Sequence, residues 1–183
     1  RPLLFENMTD PLRTNDERKE YAQLRLGSVG DLGDVVADFE GGSISVFGGI
    51  EGELVRARIY RYRRRRQEMT SSIVVEVIEP SPFRVEPPCP YFGMCSGCQW
   101  QHISYSHQLD LKKRILSDNF KKFDSLKDVD VLSARPAPNE FSYRNHARFT
   151  VRFGGQLGFS NRITRRFVRI DKCLLMAPDI NEA

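Results

Sequence analysis

Residues 53–63 read ELVRARIYRYR, and within them Val55, Ala57 and Ile59 alternate with Arg56, Arg58 and Tyr60. A period of two sends successive side chains to opposite faces of a strand, so this segment predicts one core face and one basic face carrying an aromatic ring. Similar segments flank it: YAQLRLGSVG (21–30), GDVVADFEGG (33–42) and SISVFGGIEG (43–52) before it, and SSIVVEVIEP (71–80) after it. They are short and β-branched or alternating, and glycines separate those up to residue 52. Five such strands over residues 21–80 predict a small antiparallel barrel.

A five-stranded barrel with Arg and Tyr on an outer face suits oligonucleotides, whose bases stack on rings and whose phosphates meet guanidinium groups. The candidate contacts are Arg56, Arg58, Tyr60, Arg61 and Arg63, although Arg63–Arg66 also fit a solvated hairpin tip. Charge segregation supports a polyanionic partner, RNA or DNA. Residues 1–50 hold five Lys/Arg against nine Asp/Glu, residues 51–66 hold seven Arg against Glu51 and Glu53, and residues 135–170 hold eight Arg against Glu140 alone. The basic side chains of the two basic blocks, 51–66 and 135–170, are all arginine, which binds phosphate through two parallel hydrogen bonds and stacks on bases, as lysine cannot.

The 183 residues, 40% of them hydrophobic, describe a globular chain. No apolar run reaches the 18–20 or so residues that span a bilayer, and the first residues lack the pattern of a signal peptide, so the expected location is the cytoplasm. Residues 1–20 carry no sustained apolar period and predict a tail. The five prolines between Glu79 and Pro90 make residues 81–104 an irregular connector. Residues 105–125 predict an amphipathic helix capped by Ser104 or Ser106, with Leu109, Ile115 or Leu116, Phe120 and Phe123 as its core stripe. From residue 126 to 183 strands resume: VDVLSARP (129–136), HARFTVRF (146–153), QLGFSN (156–161) and RRFVRIDKC (165–173). Arg144, Arg148 and Arg152 form a second candidate RNA patch there.

The four cysteines are the most specific signal. Cys89, Cys95 and Cys98 lie within ten residues, and Cys173 stands 75 positions after Cys98. In Cys95-Ser-Gly-Cys98 the two-residue spacer lets both sulfurs turn toward one centre, while Gly93 and Gly97 allow backbone N–H groups to point at sulfur. Four cysteines could also form disulfides, which a reducing compartment disfavours. Ligand number and spacing do not separate zinc from an iron–sulfur cluster.

The stretch PPCPYFGMCSGCQWQH (87–102), followed by Ser104-Tyr105-Ser-His-Gln108 and Lys112, resembles the cluster motif of the bacterial 23S rRNA (uracil-5-)-methyltransferase family. Phe141-Ser-Tyr-Arg144 with Arg148, Leu157-Gly-Phe159 and Val168-Arg-Ile-Asp-Lys-Cys173 with Ala177-Pro178 extend the likeness, so that it covers residues from about 21 to 183. The resemblance implies a mainly β fold: a TRAM domain of oligonucleotide-binding type, an iron–sulfur loop, one linking helix and the start of a second, central antiparallel β domain. It implies a 4Fe-4S cluster on Cys89, Cys95, Cys98 and Cys173. Ser96 stands where many relatives have glycine, a small change beside the ligands.

In that family, methyl transfer needs a nucleophilic cysteine, an acidic base and an S-adenosylmethionine domain. None is identifiable in this chain, which is therefore expected to be inactive alone, with no catalytic residue. His102, His107 and His146 read as packed or hydrogen-bonded residues, and Gln101 and His102 resemble family residues that pack beside the cluster. The expectation is the RNA-recognition part of a uracil-C5 methyltransferase, monomeric, acting on ribosomal RNA or less readily on tRNA. The competing reading is a standalone iron–sulfur or zinc RNA-binding module. A radical S-adenosylmethionine methylthiotransferase also carries TRAM, but its CxxxCxxC spacing is not the five-then-two spacing found here.

Overall fold

The computed structural model describes residues 20–30, 33–64, 66–163 and 165–182; the N-terminal segment read as a tail lies outside them, apart from Glu20. Five strands, β1 (Tyr21–Val29), β2 (Val35–Phe39), β3 (Gly42–Phe47), β4 (Leu54–Arg64) and β5 (Gln67–Glu79), close into a barrel in the order β1-β2-β3-β5-β4. All neighbours are antiparallel except β3 and β5, whose parallel pairing, Ser45 with Ser71 to Phe47 with Ile73, completes the ring. The barrel is therefore mixed rather than wholly antiparallel.

The interior is filled by Leu24, Leu26, Val35, Ile44, Val46, Val55, Ala57, Ile59 and Val74, all buried, which matches the inward half of the 53–63 alternation. Gly49 is required for this packing, because a Cβ there would stand 2.1 Å from Leu26 Cδ1.

The connector after β5 is pinned to the barrel by a buried ion pair. Glu53, whose side chain is fully buried, accepts hydrogen bonds from Arg84 Nε and Nη2, both at 2.6 Å, and from the amides of Ile50 (2.9 Å) and Ser81 (3.0 Å). Arg84 also donates to the Gly48 carbonyl at 2.8 Å. Glu53 thus accepts four hydrogen bonds and Arg84 donates three, the kind of network by which a buried pair repays its desolvation.

His102 forms a second tie. Its Nε2 lies 3.0 Å from the Gly49 carbonyl oxygen, which can only accept, so Nε2 carries the proton; Nδ1 is buried without a partner. Burial pushes the pKa of His102 down to about 4, and the fold holds the neutral ring. A depressed pKa means that this contribution is full above the unfolded value of 6.5 and is lost as pH falls through about 4. The wild type is expected to lose about 3 kcal/mol more than His102→Gln between pH 7 and pH 4, read from urea unfolding midpoints, since one pKa unit corresponds to about 1.4 kcal/mol. Equal losses in the two proteins would contradict the assignment.

Helix α1 (Tyr105–Phe120) follows Ser104, whose side chain makes no capping hydrogen bond. Only Leu111 is buried, against Ile50 and Ile103. The expected core stripe is corrected: Leu116 is 45% exposed and Phe123, beyond the helix, 59%. The segment 129–136 is not a strand, for it ends in Pro136 with Pro138 close behind, and Leu132 is 77% exposed with no strand among the described residues to pair with. The second sheet contains three short antiparallel strands, β6 (Thr150–Arg152), β7 (Gln156–Ser160) and β8 (Phe167–Arg169), in sequence order, before the short helix α2 (Pro178–Glu182). The strand expected over 146–153 is reduced to its last half because β6 has a partner on one side only. No helix among the described residues is long and apolar enough to cross a membrane.

Candidate metal centre and basic surfaces

The turns that carry Cys89, Cys95 and Cys98 lie against the second sheet. Cys95 bridges to Asn161, the Ser96 amide donates to the Ser160 carbonyl at 3.1 Å, and the Arg162 amide to the Met94 carbonyl at 3.0 Å. Tyr91 Oη donates to Asp171 Oδ2 and accepts from the Asp171 amide, both at 3.1 Å. Cys173 follows β8, and its backbone is held by Asn181, whose Oδ1 accepts from the Cys173 amide at 2.8 Å. These contacts bring all four cysteines, separated by up to 84 residues of sequence, onto the wall of one cavity of about 70 Å³, alongside Phe92, Phe159 and Ile170.

All four are half-buried and none is in a disulfide. Burial pushes the Cys89, Cys95 and Cys98 thiols up. Donors aimed at sulfur act in the opposite direction: the amides of Tyr91 and Phe92 on Cys89, the Gly97 amide on Cys95 (3.4 Å) and Gln101 Nε2 on Cys98 (3.1 Å). Among the described residues no group of three or more His, Cys, Asp or Glu side chains is arranged to hold a single metal ion. The four cysteines line one cavity.

Arg162 escaped sequence reasoning. Its guanidinium lies over the Phe47 ring at 4.0 Å, Nη1 is 3.9 Å from Asp34, Nη2 donates to the Cys98 carbonyl at 3.4 Å, and Nε is buried without a partner. Its only sequence signal was membership of the 135–170 basic block, which does not distinguish one arginine from its neighbours.

The expected barrel surface is altered. Tyr60 does not stand on an outer face: it is 8% exposed and packs with Phe47, Ile73 and Phe92 in a second core beneath the cysteine turns. Strand β4 is covered on both sides at this point, by the barrel interior and by the connector, so a period of two no longer separates inside from outside. Tyr60 offers no free ring for a base. Arg58 lies over it at 5.0 Å.

The neighbouring arginines are exposed but matched with carboxylates: Arg56 with Glu76 (3.6 Å), Arg63 with Glu68 (3.8 Å), and Arg61 with both Glu20 (2.9 Å) and Glu40 (2.8 Å). The hydrogen bond to Glu20, then that to Glu40, holds the Arg61 pKa well above the usual arginine value. By contrast, no carboxylate pairs with Arg144, Arg148 or Arg152 among the described residues; Arg144 and Arg152 lie over the Tyr143 and Phe167 rings at 5.9 and 5.3 Å. Arg144 lines both the cysteine cavity and a wider groove of about 850 Å³ that also includes Trp100, Gln108, Lys112, Leu116 and Tyr143.

Fold and site together define a small closed barrel joined, through a four-cysteine centre, to a second β unit. No protein-family model matches the chain, but it is homologous to bacterial RNA methyltransferases. It is 36% identical over 171 residues to an uncharacterized RNA methyltransferase of Caldanaerobacter subterraneus, covering 90% of this chain and 37% of that protein. It is 32% identical over 170 residues to the 23S rRNA (uracil(1939)-C(5))-methyltransferase RlmD of Alkalilimnicola ehrlichii, covering 90% and 37%. To the protein of the same name in Xanthomonas oryzae pv. oryzae it is 36% identical over 151 residues, covering 79% and 33%. The chain thus spans about a third of the length of these curated relatives.

Proposed function

We propose that this chain is the RNA-recognition and 4Fe-4S-binding part of an S-adenosylmethionine-dependent RNA (uracil-C5)-methyltransferase acting on 23S rRNA in the cytoplasm. In this reading residues 21–80 are the TRAM-type barrel, 81–104 the cluster loop, 105–125 the linking helix and 126–183 the first part of a central β domain. The observation that carries it is the meeting of Cys89, Cys95, Cys98 and Cys173 on one cavity wall in a chain whose relatives are RNA methyltransferases.

The residues fit the group. Four cysteines line the cavity, amide and Gln101 donors address three of the sulfurs, and the Arg162 guanidinium donates to the Cys98 carbonyl. A bound 4Fe-4S cluster would supply iron–thiolate bonds that tie Cys173 to the Cys89–Cys98 turns. Gln101 orients its neighbours by donating to Cys98 Sγ while accepting from the Cys89 amide at 3.3 Å. Methyl transfer itself is assigned to no residue of this chain.

RNA would lie along Arg144, Arg148 and Arg152, beside the groove that offers Trp100 and Tyr143 as stacking surfaces and Lys112 as a further cation. The β4 arginines are secondary, because phosphate must displace the carboxylates that already hold Arg56, Arg61 and Arg63. Changing Arg144, Arg148 and Arg152 together to Ala is expected to reduce the slope of log affinity against log salt for single-stranded RNA by about 2, at about 0.7 per phosphate contact. Arg56→Ala with Arg58→Ala should change it less. Unaltered affinity and slope with both patches removed would refute the RNA role.

A further inference from the structure

Arg162 is charged, largely buried, and has few partners to account for its position. Its Nε has no partner, its one side-chain hydrogen bond to the cysteine turns is the 3.4 Å contact with the Cys98 carbonyl, and its one ion-pair partner among the described residues, Asp34, is 3.9 Å away. Its guanidinium also lies over the Phe47 ring, which packs with Cys89, Cys98 and Phe92. Holding a guanidinium in such a place costs free energy unless a compensating negative charge is close. One carboxylate, itself three-quarters buried, only partly meets that need. Arg162 is held against the cysteine turns through the Met94 and Cys98 carbonyls, where thiolates at Cys95 and Cys98 would provide negative charge nearby.

We propose that Arg162 is a positioning residue whose guanidinium, behind the cysteine turns, adds a buried counter-charge to those of Arg144 and Lys172 on the cavity wall and raises the redox poise of the four-thiolate centre, with Asp34 attenuating that charge. The inference rests on the cluster reading above. A cluster held by four thiolates is net negative and gains one more negative charge when it takes up an electron from an external reductant. The Arg162 cation favours that more negative state, and burial keeps the interaction from being screened.

The test is a potentiometric titration of the anaerobically purified chain, with dithionite as reductant and the electron paramagnetic resonance signal of the reduced cluster as readout. At a fixed potential Arg162→Gln should lower the ratio of reduced to oxidised cluster at least tenfold, which for a one-electron couple is about 59 mV. Arg162→Lys, which keeps the charge, should move it less. Asp34→Asn should move it in the opposite direction, a result that mere loosening of the site would not produce. If Arg162→Gln fails to retain a cluster, Asp34→Asn alone decides.

An Arg162→Gln protein with an unchanged ratio, or an Asp34→Asn protein that is unshifted or shifted the same way as Arg162→Gln, would overturn the proposal. A wild type free of iron and sulfide would remove the cluster reading and this inference with it. A wild type that holds a cluster whose potential ignores both variants would remove this inference alone.

Discussion

Replacing Glu53 by alanine is expected to cost about 3–5 kcal/mol, the typical penalty for leaving one member of a buried ion pair uncompensated. Folded domains are stable by only about 5–15 kcal/mol, so such a loss would leave the barrel close to unfolding at room temperature. The reason is local. Glu53 accepts from the Ile50 and Ser81 amides and from Nε and Nη2 of Arg84, so its removal leaves the two amides and Arg84 Nε without that acceptor and a buried cation held only by the Gly48 carbonyl. The loss would be read from urea unfolding at neutral pH. The double change Glu53→Leu with Arg84→Met should recover a large part of it, since no buried charge then remains. A single Glu53→Ala change costing less than about 1 kcal/mol, the range of an exposed pair, would show that the pair is not the clasp between barrel and connector.

The second large effect is expected at Cys173. Replacement by alanine should abolish most of the bound iron and sulfide and make the segment after residue 126 sensitive to trypsin, with Arg165 and Arg169, both exposed, as cleavage sites. Cys173 is the only one of the four cysteines on the second β unit, so it alone would carry the metal-mediated link. The hydrogen bonds from Ser96 to Ser160 and from Arg162 to Met94 remain and keep the unit docked in part. Digestion should therefore accelerate well short of the rate for an unfolded chain. Unchanged protection in Cys173→Ala would mean that those hydrogen bonds suffice and that the cysteine links nothing.

What the sequence disclosed and what it hid divide along a physical line. The alternation of Val55, Ala57 and Ile59 with polar neighbours is a local property of one strand, and it located the barrel interior correctly. Tyr60 obeys the same alternation, yet a connector some thirty residues later covers its face with Phe92, which no strand period records. Arg61 looked like a phosphate ligand because its partners Glu20 and Glu40 are 41 and 21 residues away in the chain. The apolar stripe Leu116 and Phe123 read as core from periodicity, but periodicity states which residues share a side, not whether anything covers it. The cysteine turns were legible because CxxC spacing is itself geometry. The remote Cys173 was grouped with them as the fourth cysteine, family likeness implied the cluster they would hold, and the structure brings Cys173 to the same cavity after strand β8. Arg162 was invisible for the complementary reason: its significance lies in being buried, which its position in a basic run does not suggest.

The claim on which most of this account turns is that the four cysteines hold a 4Fe-4S cluster, and metal and acid-labile sulfide analysis of the chain purified without oxygen tests it most directly. The account predicts about four iron and four sulfide per chain, with broad visible absorption that disappears when Cys89, Cys95 or Cys98 is replaced. One zinc per chain, with no labile sulfide, would contradict it.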